Sequence, residues 1–125
     1  MRTPSILLTS IAVLASVAIA QDDAQYKTWM QSVQPAVRGI RGAADNAAAK
    51  EDATKLAETF DHVATFWKAK NADDAVKMAE TARDAAKDIA SGTGDKAANL
   101  AKIQGTCGAC HSAHRGGSAP NFTIK

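Results

Sequence analysis

LAETFDHVATFWK, residues 56 to 68, places Leu56, Phe60, Val63 and Trp67 on one side of a helix at steps of four, three and four, and Phe66 widens that stripe. The spacing follows a 3.6-residue turn and not the two-residue alternation of a strand. It predicts a helix from about Lys50 to Lys70, with Asn71 as a break that can also cap the next helix. Downstream, Ala75, Ala79, Ala82, Ala86 and Ile89 give a second helical stripe over Asp73 to Ala90, made almost entirely of methyl groups. Such a face lets a neighbouring helix approach closely or leaves room for a bulky group. Ser91-Gly92-Thr93-Gly94 then reads as a loop.

A further block starts near Asp95 and sets Ala97, Leu100, Gln104, Cys107, His111 and His114 on its predicted inner face. Gly116-Gly117 and Pro120 end it, and the tail to Lys125 is expected to stay unfolded. Upstream, Tyr26, Met30, Val33, Val37, Ile40 and Ala44 recur at helical spacing, with Asp22 and Asp23 near the start, where negative charge suits the helix dipole. Pro35 interrupts that block, so a bend is expected there. Four amphipathic helices on short loops pack most simply as an all-α, antiparallel four-helix bundle, a single domain over residues 21–125.

Composition agrees. Alanine occupies 28 of the 125 positions, against 11 for glycine and proline together and 6 for aromatics, which favours helices and excludes a strand-rich sandwich. The formal charge of +2 lacks the basic excess of a nucleic-acid binder. Large apolar side chains are few, so the core is thin and has space for another body. Met1 to Ala20 reads as a secretory leader: Arg2 at the start, an apolar run from Ile6 to Ile19, and the small-x-small site Ala18-Ile19-Ala20. The run is too short for a spanning helix, which needs roughly 20 apolar residues. Cleavage after Ala20, export to the periplasm and no membrane span in the mature form are the expectations.

Cys107-Gly108-Ala109-Cys110-His111 is the C-x-x-C-H pattern of c-type haem attachment. Two thiols three residues apart share one side of a helical turn, where both reach the vinyl groups of one porphyrin, and His111 comes next as the proximal iron ligand. One covalently attached haem c, bound near the C-terminal helix, would also fill the thin core. A thioredoxin-like pair would need a βαβ context, which is absent. A zinc site built from Cys107, Cys110, His111 and His114 would draw every ligand from one rigid helix, whereas structural zinc usually joins two segments.

The position of the motif on the last of four helices resembles class II cytochromes c, the family of cytochrome c′ and its low-spin relatives. Cys107, Cys110 and His111 match that family's attachment site, and Arg115 resembles the basic residue that often comes after it. The resemblance is sequence-specific only from Cys107 to Arg115. It implies a short, low-spin, monohaem protein of the bacterial periplasm that carries electrons, with the first helix supplying the distal group. Met30 is the methionine in phase on that helix and is expected to be the sixth iron ligand beside His111. The alternative is a five-coordinate cytochrome c′ that binds NO or CO.

No distal acid–base pair points to an enzyme, and the expected partners are redox proteins, with a homodimer left open. Met78 is out of phase with the alanine face and is not favoured as a ligand. His62 reads as a surface histidine, His114 as lying near the haem edge or in solvent, and Trp29 and Trp67 as core or haem-packing residues.

Overall fold

A computed structural model describes the backbone from residue 11 to residue 125 and the side chains from Asp23 onward. The leader expected over residues 1–20, with its cleavage point, lies outside the described side chains. The chain forms four helices, α1 (Ile11–Gly42), α2 (Asn46–Ala69), α3 (Asp73–Ser91) and α4 (Lys96–His114), followed by strands β1 (Arg115–Ser118) and β2 (Asn121–Ile124). None of the described helices is long and apolar enough to cross a membrane.

The helix limits arise from local chemistry. Asp45 is extended and accepts the Ala48 N–H at 2.8 Å, so α2 begins four residues before the apolar stripe suggested. Asp95 accepts from the Ala97 and Ala98 N–H groups at the start of α4. Asn71 does not cap α3; it takes a left-handed backbone (φ 57°), a conformation asparagine tolerates better than most residues, and so turns the chain between α2 and α3. Gly92 ends α3 in the same region, at φ 75°. The expected bend at Pro35 does not interrupt the element, since α1 runs through it as one helix with the proline exposed.

Contacts between helices fix their directions. Asp23 meets Lys70, Tyr26 meets Trp67 and Ser32 meets Thr59, so α1 and α2 run antiparallel. Arg83 of α3 reaches Asp61 of α2 at 3.3 Å, and Asp74 at the start of α3 meets His114 at the end of α4. Lys96 closes the circuit by donating to the Ile40 carbonyl at 2.9 Å and to that of Ala43, just past the end of α1. The result is a bundle-like, antiparallel set of four helices.

Leu56 and Trp67 of α2 belong to one core with Ile40, Ala82, Ala86, Ile89 and Ile103, all at most 1% exposed. Gly39 admits the Asp52 carboxylate, which a methyl group at that position would strike.

Three expectations are corrected. In α4, Ala97 and Gln104 are exposed and the inner face is Leu100, Ile103, Cys107, Cys110 and His114, at steps of three, four, three and four. Burial of Leu100 and Ile103 goes with this rotation, and buried Asn99 is accommodated because its Nδ2 donates to the Thr93 carbonyl. Ala44 is exposed because α1 has already ended at Gly42. The tail is folded: β1 and β2 pair antiparallel with Arg115 opposite Ile124 and Ser118 opposite Asn121. Gly117 sits at φ 70°, and a side chain there would also strike the Asn121 carbonyl, so the glycines that stop the helix also start the hairpin. Arg115 lies over the Phe122 ring at 4.1 Å, and the Lys125 N–H donates to the His114 carbonyl at 2.9 Å.

The rotation of α4 can be checked by mutation. Ile103→Ala should cost about 2–5 kcal/mol of unfolding free energy, whereas Gln104→Ala should stay within about 0.5 kcal/mol. Urea midpoints of the two variants measure both; a larger loss at Gln104 would restore the rotation read from sequence.

Candidate cofactor cleft

The last turns of α4 and the hairpin border a cleft of about 580 Å³, within the roughly 300–1,000 Å³ usual for a cofactor-sized ligand. Cys107, Cys110 and His111 line it from α4, and Met30 lines it from α1. The structure thus brings all four residues singled out in the sequence to one space. Val33, Phe60, Val63 and Ala79 supply apolar wall from α1, α2 and α3, and residues 120–124 border it from the hairpin.

Both cysteines are free and half-buried. Burial pushes the Cys107 thiol up; burial, then the charge of Asp74 and the neighbouring Cys107, push Cys110 up. Each therefore stays protonated near neutrality. His111 moves the opposite way: burial, then the Arg115 guanidinium, lower its pKa, so the imidazole is neutral and its lone pair is available to a metal. Among the described residues no group of three or more His, Cys, Asp or Glu side chains is placed to hold a metal ion, so the side chains of a zinc site do not converge here.

Several contributors escaped the sequence reading. Met78 lines the same cleft from α3: it flanks the alanine face, and the cleft is wide enough to reach that flank. The Trp67 indole N–H donates to the Tyr26 hydroxyl at 3.2 Å, while Tyr26 stacks on Phe66 with centroids 4.4 Å apart. His114 lies against Trp67 at 4.6 Å between ring centroids and holds the Asp74 carboxylate at 2.7 Å through Nε2. That bond, aided by the Ala75 N–H, keeps the Asp74 carboxyl below its ordinary range. His114, left between haem edge and solvent by its sequence position, is a cleft residue clamped to α3. Trp67 is core, as one of its two readings allowed, and Trp29 is half-buried. His62 is exposed and stacks on Trp29 at 5.0 Å with rings 8° from parallel.

Comparison with protein-family models, curated proteins and solved structures found no match for this chain. The likeness to class II cytochromes c therefore rests on the residues from Cys107 to Arg115 and on the four-helix architecture.

Tyr26 is the protein's single tyrosine, so its ionisation can be followed alone. Burial raises its pKa to about 12, from 10.0, against the smaller opposing effect of the Trp67 hydrogen bond. The folded value lies above the unfolded one, so the stability from keeping the phenol protonated is full below the unfolded value of 10.0 and is lost as the pH rises through about 12. Phenolate difference absorbance of the native protein should rise only towards that higher value, and denaturant should restore the ordinary one. A native midpoint at the ordinary value would mean that Tyr26 is exposed to water.

Proposed function

We propose that the protein is a monohaem c-type cytochrome of the periplasm that carries electrons, with the iron held between His111 and Met30. The observation that supports this most is the convergence of two protonated thiols, a neutral imidazole and a thioether on one cleft with apolar walls. Its volume and donor set fit a porphyrin with iron. Haem bound there supplies a centre that gains and loses one electron.

The remaining roles fall to the chain's own residues. Cys107 and Cys110 hold the group through thioethers, so it is not lost from an exported protein. His111 presents its nitrogen without first shedding a proton. Met30 offers a soft, uncharged sulfur that sits in an apolar wall without the desolvation cost of a charge. Phe60, Val63 and Val33 supply apolar wall that keeps water from the group. The leader motif over residues 1–20 supports export.

Intact-mass analysis after acid–acetone extraction tests the attachment: the mass of one haem should remain with the wild-type chain and be absent from the Cys107→Ala/Cys110→Ala variant. Ferric spectra test the ligand. The wild type should be low-spin with the weak long-wavelength band of a methionine–iron bond. Met30→Ala should turn high-spin and bind exogenous ligands, while Met78→Ala should keep the wild-type spectrum. A reversed pair would move the ligand to Met78, and a high-spin wild type would favour the gas-binding alternative.

A further inference from the structure

The lysine and arginine that line the cleft have no acidic counterpart in its wall, although one carboxylate, that of Asp74, lies behind it on His114. Lys27 and Arg115 border it and are exposed, yet no aspartate or glutamate lines it, although the chain has 13 acidic residues against 15 lysines and arginines. Among the described residues, neither Lys27 nor Arg115 has a carboxylate within ion-pair reach, as is true of most lysines and arginines of this chain; what sets these two apart is that they line the cleft. Asp74, whose charge is felt at Cys110, is engaged by His114 and by the Ala75 N–H. Phe122 lines the same cleft; it is the exposed large apolar side chain of the described residues, at 37% exposure and beneath the Arg115 guanidinium. An arginine on an exposed aromatic ring is a common anchor of protein interfaces.

We infer that this rim is the docking face for an acidic patch on a redox partner protein; the inference rests on the electron-carrier reading and adds the charge of the partner. An apolar contact at Phe122, with Lys27 and Arg115 on the same rim, brings the partner to the mouth of the cleft. Two cations and one ring suit the small, polar, electrostatically steered encounters of electron transfer. A membrane surface is a poorer fit. Each basic residue contributes only about 1 kcal/mol at an anionic bilayer, and lipid-binding clusters generally carry four to eight.

The test is oxidation of the ferrous holoprotein by hexacyanoferrate(III), a trianion, and by tris(phenanthroline)cobalt(III), a trication. Each takes one electron, leaving ferric protein and the reduced complex. The anionic oxidant should react faster at low ionic strength and lose its advantage as salt is added, and polyglutamate should inhibit it. Lys27→Glu should slow the anionic oxidant by about five-fold or more at low salt and speed the cationic one. Lys87→Glu makes the same change in net charge on an exposed α3 position away from the cleft and should leave both rates near wild type. Lys27→Gln, with half the charge change, should fall between.

Equal effects of Lys27→Glu and Lys87→Glu, or no preference for the anionic oxidant in a protein that does carry haem, would overturn the docking face while leaving the cytochrome reading intact. Phosphatidylglycerol vesicles that bind the wild type but not Lys27→Glu, with no inhibition by polyglutamate, would assign the rim to a lipid surface and overturn it too. A colourless protein would remove the electron-carrier reading, and this inference with it.

Discussion

Trp67 is where the helices are tied together at the cleft end. It is 1% exposed, donates its indole N–H to Tyr26 of α1, and carries the imidazole of His114 from α4 against its ring. His114 in turn grips Asp74 at the first turn of α3. A chain of contacts thus runs from α1 through α2 and α4 to α3, and two of its members, Tyr26 and His114, line the cleft that Cys107, Cys110 and His111 also line. The opposite end is held differently, by the Lys96 ammonium on the terminal carbonyls of α1 and by Asn46 on the Gly94 carbonyl. Polar caps secure one end and aromatic packing the other; the cleft lies at the aromatic end.

Much of this was legible in the chain, for identifiable reasons. The α2 stripe of Leu56, Phe60, Val63 and Trp67 and the α3 stripe of Ala75, Ala79, Ala82, Ala86 and Ile89 are all buried, because each sets apolar residues against charged ones at a clear helical period. α4 was harder to read. Its two faces differ little, with Ala97, Ala98 and Ala101 scattered among glycines and the cysteine motif, so periodicity could not tell Gln104 from Ile103 as the inward residue. The hairpin was hidden by its own punctuation: Gly116, Gly117 and Pro120 read as an end to structure, although the Phe122 and Ile124 alternation was a strand signal.

The site divides the same way. Cys107, Cys110, His111 and Met30 announced themselves through a local motif and a helical phase. The bonds from Trp67 to Tyr26 and from His114 to Asp74 join residues 41 and 40 positions apart, and neither pair carries a local pattern. Burial then does what spacing alone could not, holding the thiols protonated and His111 neutral. The chemistry available at the cleft depends as much on Phe60, Val63 and the hairpin as on the four residues that the sequence singled out.

The hairpin also returns the backbone to the end of α4, where the Lys125 N–H meets the His114 carbonyl. Residue 125 is therefore a neighbour of the cleft in space. A linker grafted there emerges beside the mouth, so a tether joined at this point would turn the cleft towards the surface that holds it. The same graft made at the α3–α4 turn, around Gly94, would present the polar-capped end and leave the length of the helices between surface and cleft.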